Sequence, residues 1–359
     1  MQRRTLVKKL AAIAALPLTG IPVAAIAHKG EPAPEAIATP RPAAAQATLL
    51  QPDDPASSLV FDPPQEIAPG VYFLKGKTTY FASGNLQEVE CNNGWIIFDD
   101  FVLLIDANYP AAGPTILQEV RKTTNKPIRF VFNTHHHGDH LYGNGYWAQQ
   151  GATAIAYEGL IGELQRFETG YYGTNPGRWE QVAQKRSDLK GFTLLPPPVT
   201  FKQSMVIEDK HRRVELLHLG TGHTMGDGVV WLPKESILFT GDSCLNGPYN
   251  LFRDADIKSW IPTLDRMAAL KPAILIPGHG ALGNAETPER QQHYFRSVYE
   301  WVSAAKKAGK TFEQIAPTIP ALRQIIAADP IAVTYLIPAP EIAPGFSLEA
   351  HVKRIFETI

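Results

Sequence analysis

The segment Asn133-Thr134-His135-His136-His137-Gly138-Asp139-His140 places four of the chain's eleven histidines, with one aspartate, inside six positions. Imidazole and carboxylate together suit zinc, and also iron or manganese. Alternate residues of an extended chain point to one side, so His135 and His137, leaving the apolar run "IRFVFNT", are expected to aim at a single ion. Gly138 has no Cβ and lets the chain turn sharply. Asp139 and His140 then face a second position, and His136, pointing the other way, is expected to be a bystander. A low-complexity metal sponge would hold such a run without an apolar strand entering it.

Four ligands leave two ions short of donors, so the pattern demands more at other strand ends. Three are present. "HLGTGHTMGDG" puts His223 in a glycine-rich loop after a strand, "SILFTGDSC" puts Asp242 at the end of an apolar strand, and "ILIPGHG" puts His279 after another. One histidine after a strand is ordinarily just solvated. Three donors at matching junctions, where sites in sheet-based folds collect, form a set. Asn133, Thr134 and Asn144 are candidates for holding the ligands from behind, and equally for plain strand-end and turn residues. Tyr249, in the turn-rich loop Asn246–Asn250, is a candidate pocket residue against the alternative of a packed loop aromatic, and the loop "YYGTNPGR", Tyr171–Arg178, is a candidate wall.

These donors need strands to carry them. From Leu59 onward short β-rich runs alternate with turn residues: "GVYFLKG", "TYFASG", "QEVEC", "NGWIIFDD" and "FVLLIDANYP". A helix over Gly113–Lys122 precedes "IRFVFNT", whose continuous apolarity suits a strand covered on both faces. "TAIAY", helical stretches at Glu158–Glu168 and Arg178–Arg186, and "LLPPPVTF" complete a first half. A second opens with "SMVIED" and "RRVELLHLG", a hairpin around Lys210, and runs through "GVVWLP", "SILFTGD", a helix at Ile257–Leu270 and "AILIPGHG". Strands, helices, strands, helices in two similar halves predict two sheets face to face with helices outside, a four-layer αββα sandwich over residues 59–285. Residues 286–359 read as a helical extension packed on it. Thr287 is placed as N-cap with Pro288 at the first helical position.

The first residues read differently. "MQRRTLVKKL" carries Arg3, Arg4, Lys8 and Lys9 without an acid, an apolar run follows, and Ala25-Ile26-Ala27 offers a cleavage site. Arg3-Arg4 and its surroundings resemble a twin-arginine export signal, so residues 1–27 are expected to be removed and the protein to be periplasmic or secreted. The run is of marginal length for an uncleaved anchor, but Pro17, Gly20 and Pro22 interrupt it. Residues 28–58, rich in proline and alanine without apolar periodicity, read as a flexible linker. Taking the signal's four basic residues from the chain's 34 leaves 30 against 35 acids, a net charge of −5. That balance disfavours nucleic acid and anionic membranes as partners, leaving a small-molecule substrate and no stable membrane span after cleavage. No residue signals an oligomeric state. Cys91 and Cys244 could pair in an oxidising compartment, although two separate buried thiols is the preferred expectation.

The set His135-x-His137-x-Asp139-His140, His223, Asp242 and His279 resembles the complete binuclear signature of the metallo-β-lactamase superfamily, over about Ile67–Gly280. The resemblance implies an αββα fold with the site at one edge. It further implies two zinc ions, the first on His135, His137 and His223, the second on Asp139, His140 and His279, with Asp242 bridging. Two dications sharing a water lower its pKa toward neutrality. The implied function is a hydrolase in which a bridging hydroxide attacks the carbonyl of a small ester, thioester, lactone or amide. Asp242 stands where zinc β-lactamases usually lack an aspartate, and it is the pattern of glyoxalase II-like thioesterases, lactonases and broad hydrolases. A periplasmic β-lactamase, a quinoprotein-associated metallohydrolase and a mononuclear iron dioxygenase on the same fold are the alternatives.

Overall fold

The computed structural model describes residues 61–76, 79–80, 86–88, 91–170, 176–337 and 344–359. The expected export signal and linker lie outside them. In chain order, β1 (Gln65–Ala68) and β2 (Val71–Leu74) precede β3 (Thr79–Tyr80) and β4 (Leu86–Glu88), which make their own two-stranded sheet. Then come β5 (Asn93–Ile97), β6 (Val102–Ile105), helix α1 (Gly113–Thr123) and β7 (Ile128–Phe132). The short helices α2 (Gly138–Leu141) and α3 (Asn144–Gln149) lead to β8 (Thr153–Tyr157), α4 (Gly159–Phe167), α5 (Arg178–Ala183) and β9 (Val199–Phe201). The second half holds β10 (Ser204–Glu208), β11 (Arg213–Leu217), β12 (Val229–Leu232), β13 (Ile237–Gly241), α6 (Ile257–Ala269) and β14 (Ile274–Pro277). It ends in α7 (Thr287–Lys307), α8 (Phe312–Ile315), α9 (Ile319–Ala328) and α10 (Leu348–Thr358).

One sheet runs β1-β2-β5-β6-β7-β8-β9 and the other β10-β11-β12-β13-β14. Strand alternation sorts their side chains into layers. Phe73, Ile96, Leu103 and Ile105 of the first sheet share a core with Val214, Leu216, Val230, Leu232, Ile237 and Phe239 of the second. Their neighbours in sequence face outward. Leu74, Trp95, Val102 and Leu104 pack with Ile116 and Val120 of α1 and Trp147 of α3. Val229, Trp231 and Leu238 pack with Trp260 and Leu264 of α6, Phe295 and Val298 of α7, and Val352 and Ile355 of α10. Helix, sheet, sheet, helix is the αββα sandwich that the alternating halves predicted, with C-terminal helices on the second sheet.

α7 differs from expectation by one position. Glu286 is its N-cap, Thr287 its first residue, and Pro288 lies at the second; Thr287 turns its hydroxyl back to accept from Asn284 N–H (2.9 Å) instead of capping. Cys91 and Cys244 are separate buried thiols.

The extension also carries a buried titratable group. His351 of α10 accepts at Nδ1 from Tyr294 Oη (2.8 Å) and donates from Nε2 to Asn250 O (2.7 Å), a neutral imidazole fully used. Burial lowers its pKa to about 4. The unfolded imidazole takes its proton near 6.5 and the folded one only near 4, so the unfolded state binds more protons between them and stability falls as pH drops through that window. The loss should approach about 3 kcal/mol by pH 4, at 1.36 kcal/mol per unit. Denaturant titrations of native protein and His351→Gln at pH 7 and pH 4.5 check it. A native-minus-variant difference that does not shrink on acidification would contradict the assignment.

Candidate metal centre

The centre is assembled from the ends of four core strands and one loop. β7 runs into Asn133–His140, β13 is followed by Asp242, β14 by Gly278 and His279, β6 by Asp106, and His223 comes from the loop between β11 and β12. Residues 134–137 are a string of bends and not the extended chain expected. His135 and His137 still converge, because His137 presents Nδ1 where His135 presents Nε2, 3.1 Å apart. Gly138 does not bend the chain through a positive φ; it begins α2. A Cβ there would stand 2.7 Å from the Tyr142 ring, so closeness is what requires glycine.

His223 Nε2 lies 2.9 Å from His137 Nδ1, and His135, His137, His223 and Asp242 form one group of converging donor atoms. Asp139, His140 and His279 form a second: His279 Nε2 is 3.1 Å from Asp139 Oδ2 and 3.3 Å from His140 Nε2. Asp242 Oδ2 lies between them, 3.6 Å from His223 Nε2 and 3.4 Å from His279 Nε2. All seven predicted ligands are thus brought together. Gly278 gives the carboxylate its room, since a Cβ there would meet Asp242 Oδ1 at 2.1 Å.

The two groups differ electrostatically. Burial pushes His135 and His137 well below the ordinary histidine range and His223 to about 4, leaving neutral imidazoles with lone pairs to offer. Burial would lower His140 and His279 too, but the carboxylates reverse it. Asp139 chiefly raises His140, and Asp242 then Asp139 raise His279 to about 9. Against burial, His140 and His279 in turn hold Asp139 and Asp242 well below the usual carboxylate range. Positive charge is therefore favoured between these carboxylates. Asp242 Oδ1 is moreover buried without a hydrogen bond, uncommon for a polar atom unless something else uses it. Such a donor set fits a pair of divalent ions.

Groups behind the candidate ligands hold them in place. Asp106, held at φ 62° in the left-handed region, accepts from His140 Nδ1 (2.7 Å), Thr134 N–H (2.8 Å) and Thr134 Oγ1 (3.0 Å). Thr134 Oγ1 also lies 3.1 Å from His135 Nδ1. Asn133 and Asn144 exchange side-chain hydrogen bonds, and Asn133 Nδ2 donates to His140 O (2.9 Å). Thr134 and Asn144 thus both hydrogen-bond to groups that hold the Asn133–His140 segment.

Asp254 was not anticipated. It accepts from His137 Nε2 (2.8 Å) and from both terminal nitrogens of Arg178. His136, no bystander, places Nε2 3.6 Å from the same carboxylate and stacks on Phe167. Arg178 lies over the same ring, 4.3 Å from its centroid.

The centre opens into a cavity of about 320 Å³ lined on one part by His137, Asp139, Asp242 and His279. Glu168, raised to about 6 by burial, also lines it and accepts from Tyr142 Oη (2.5 Å). Of the two candidate walls, the first, Asn246–Asn250, contributes no lining residue; Leu251 and Arg253, just beyond that loop, line the cavity, and the Tyr171–Arg178 loop contributes Arg178. Residues 171–175 of the second lie outside the described residues. Tyr249 is not among the lining residues; its ring would lie 3.5 Å from a Cβ at Gly280.

Comparison with known proteins decides the family: the Metallo-beta-lactamase superfamily matches residues 87–279, more than half of the chain. The chain belongs to the metallo-beta-lactamase superfamily. It is a metal-dependent hydrolase of that superfamily. A metallo-beta-lactamase type 2 of Bacteroides fragilis is 27% identical over 225 residues, 60% of this chain and 78% of that protein. The 2,4-dinitroanisole O-demethylase subunit alpha of Nocardioides sp. (strain JS1661) is 26% identical over 43% of this chain, a match spanning 41% of its own length. Among solved structures, the metallo-beta-lactamase from Pontibacter korlensis superposes with a TM-score of 0.51 at 19% identity, covering 66% of this chain and 99% of that one, which supports the shared superfamily fold. Among the described residues no helix is long and apolar enough to cross a membrane.

Proposed function

We propose that the protein binds two zinc ions and hydrolyses a small ester, thioester, lactone or amide. One observation carries the proposal: the Asp242 carboxylate lies within 3.6 Å of an imidazole from each of two donor groups. His135, His137 and His223 would hold one ion, Asp139, His140 and His279 the other, with Asp242 between. When bound, such a pair lowers the pKa of a shared water toward neutrality and polarises a carbonyl. The chain's own part is positional. Asp106 and Asp254 fix which imidazole nitrogen faces the centre, and the carboxylates of Asp139 and Asp242 balance the cations. The walls of the cavity keep a substrate carbonyl beside the donor groups, so that binding replaces a bimolecular encounter.

Seven donors in two groups favour this reading over a mononuclear iron enzyme, which would leave part of the set idle. Cys244 cannot stand in for a ligating cysteine, being part of the apolar core beneath α6 and α7 with its thiol pushed up by burial. That disfavours β-lactams as main substrates without removing them from the test. Elemental analysis of the purified protein should find about two zinc per chain. A chelator should abolish hydrolysis, and zinc should restore it. A panel of ester, thioester, lactone, β-lactam and phosphodiester substrates then identifies the class. One iron per chain, or no cleavage of any carbonyl substrate by zinc-loaded protein, would overturn the proposal.

A further inference from the structure

The segment leading into α10 reaches the cavity. Phe346, immediately before the N-cap of α10, lines it, as does Leu251 of the loop after Asp242. Both side chains are half-buried. They belong to segments in contact, because a Cβ at Gly345 would meet Leu251 Cδ1 at 2.8 Å.

The position of Phe346 is fixed on one side by Ser347, whose hydroxyl accepts from Ala350 N–H (3.1 Å) and starts α10. α10 is fixed in turn to the loop. His351 donates to Asn250 O (2.7 Å) and Arg354 Nε to Ala255 O (2.9 Å), while Gln291 of α7 donates to Asn250 Oδ1 (2.7 Å). These hydrogen bonds bracket Leu251 at both ends of its segment. Val182 of α5 and the Tyr109 ring add apolar surface to the same cavity. A volume of about 320 Å³ lies at the small end of ligand sites. Partly exposed apolar side chains inside such a site gain by being covered.

We propose that Phe346 and Leu251 form a subsite for an apolar substituent, aryl or short alkyl, on the acyl group of the substrate. The proposal rests on the hydrolase reading above and narrows it: acyl groups bearing an apolar substituent are preferred over bare acetyl. The extension is then a specificity element as well as a cover for the second sheet.

The experiment titrates acetate and phenylacetate into the zinc-loaded full chain by calorimetry, and assays esters of the two acids with a common leaving group. Phenylacetate should bind about tenfold more tightly than acetate, the order expected from covering one aromatic ring. Phe346→Ala should shrink that ratio below about threefold without changing acetate binding or zinc content, and Phe346→Leu should keep most of it. Leu251→Ala is the second variant, should Phe346→Ala fold poorly. Equal binding of the two acids by the native protein, no phenylacetate binding at millimolar concentration, or an unchanged ratio in both alanine variants overturns the subsite. Discrimination between the acids with no carbonyl substrate of the panel cleaved leaves the subsite standing and removes the carbonyl-hydrolase reading. Equal binding with both esters cleaved does the reverse.

Discussion

Replacing Asp242 with alanine is expected to lower hydrolysis by about three orders of magnitude or more, equivalent to about 4 kcal/mol of barrier. It should also cost at least one of the two zinc ions. The reasoning is local. Asp242 is 5% exposed and faces imidazoles from both donor groups, at 3.4 Å (His279), 3.6 Å (His223) and 4.0 Å (His135). Its loss removes a donor to both positions and leaves His140 and His279 with one carboxylate fewer. The backbone should tolerate the change, because alanine is smaller and Gly278 already leaves the space. Far-ultraviolet circular dichroism should therefore be unaltered while elemental analysis falls toward one zinc per chain or fewer. Asp242→Ala retaining two zinc and native turnover would sink the bridging role.

His135, Asp242 and His279 were legible as candidate ligands because each is a polar residue shortly after an apolar strand, and His223 because of its glycine-rich loop. β7, β13 and β14 bury most or all of their side chains, and the first donor after each stands out against that run. Asp106 follows β6 in the same way, "LLIDAN" matching "LFTGDS" in pattern. That strand-end acid was therefore findable from the same signal. Asp254 and Arg178 were not. "FRDADIKSW" looks like a solvated charged turn, and only the tertiary packing shows Asp254 to be 6% exposed and Arg178, 76 positions away, to be its partner. The short β-rich runs bounded by turn residues made the strands of both sheets legible, since strand composition and turn chemistry are local properties. Helix α7 was legible in place but not in its first residue, because Asn284 competes for the Thr287 hydroxyl. Phe346 lining the cavity depends on where α10 docks, which no local pattern encodes.

Asp254 yields the second large effect. A neutral imidazole carries one N–H. With that hydrogen on His137 Nε2 and donated to Asp254, the Nδ1 lone pair faces His135 and His223, the arrangement a metal requires. Asp254→Ala removes the acceptor and also strands Arg178, whose guanidinium is paired with the same carboxylate. Zinc affinity at the three-histidine position should fall about 10- to 100-fold, measured by competition with a chromogenic chelator. Stability should fall by about 3 kcal/mol, toward the low end for a broken buried pair because Arg178 keeps some exposure. The two effects can be separated. Asp254→Asn keeps an oxygen for His137 and should lose less affinity than alanine, while combining it with Arg178→Met removes the stranded cation and should recover stability. If Asp254→Ala loses stability but binds zinc as tightly as the native protein, the carboxylate serves only Arg178. A graded loss of affinity from asparagine to alanine, independent of Arg178, is what orienting His137 demands.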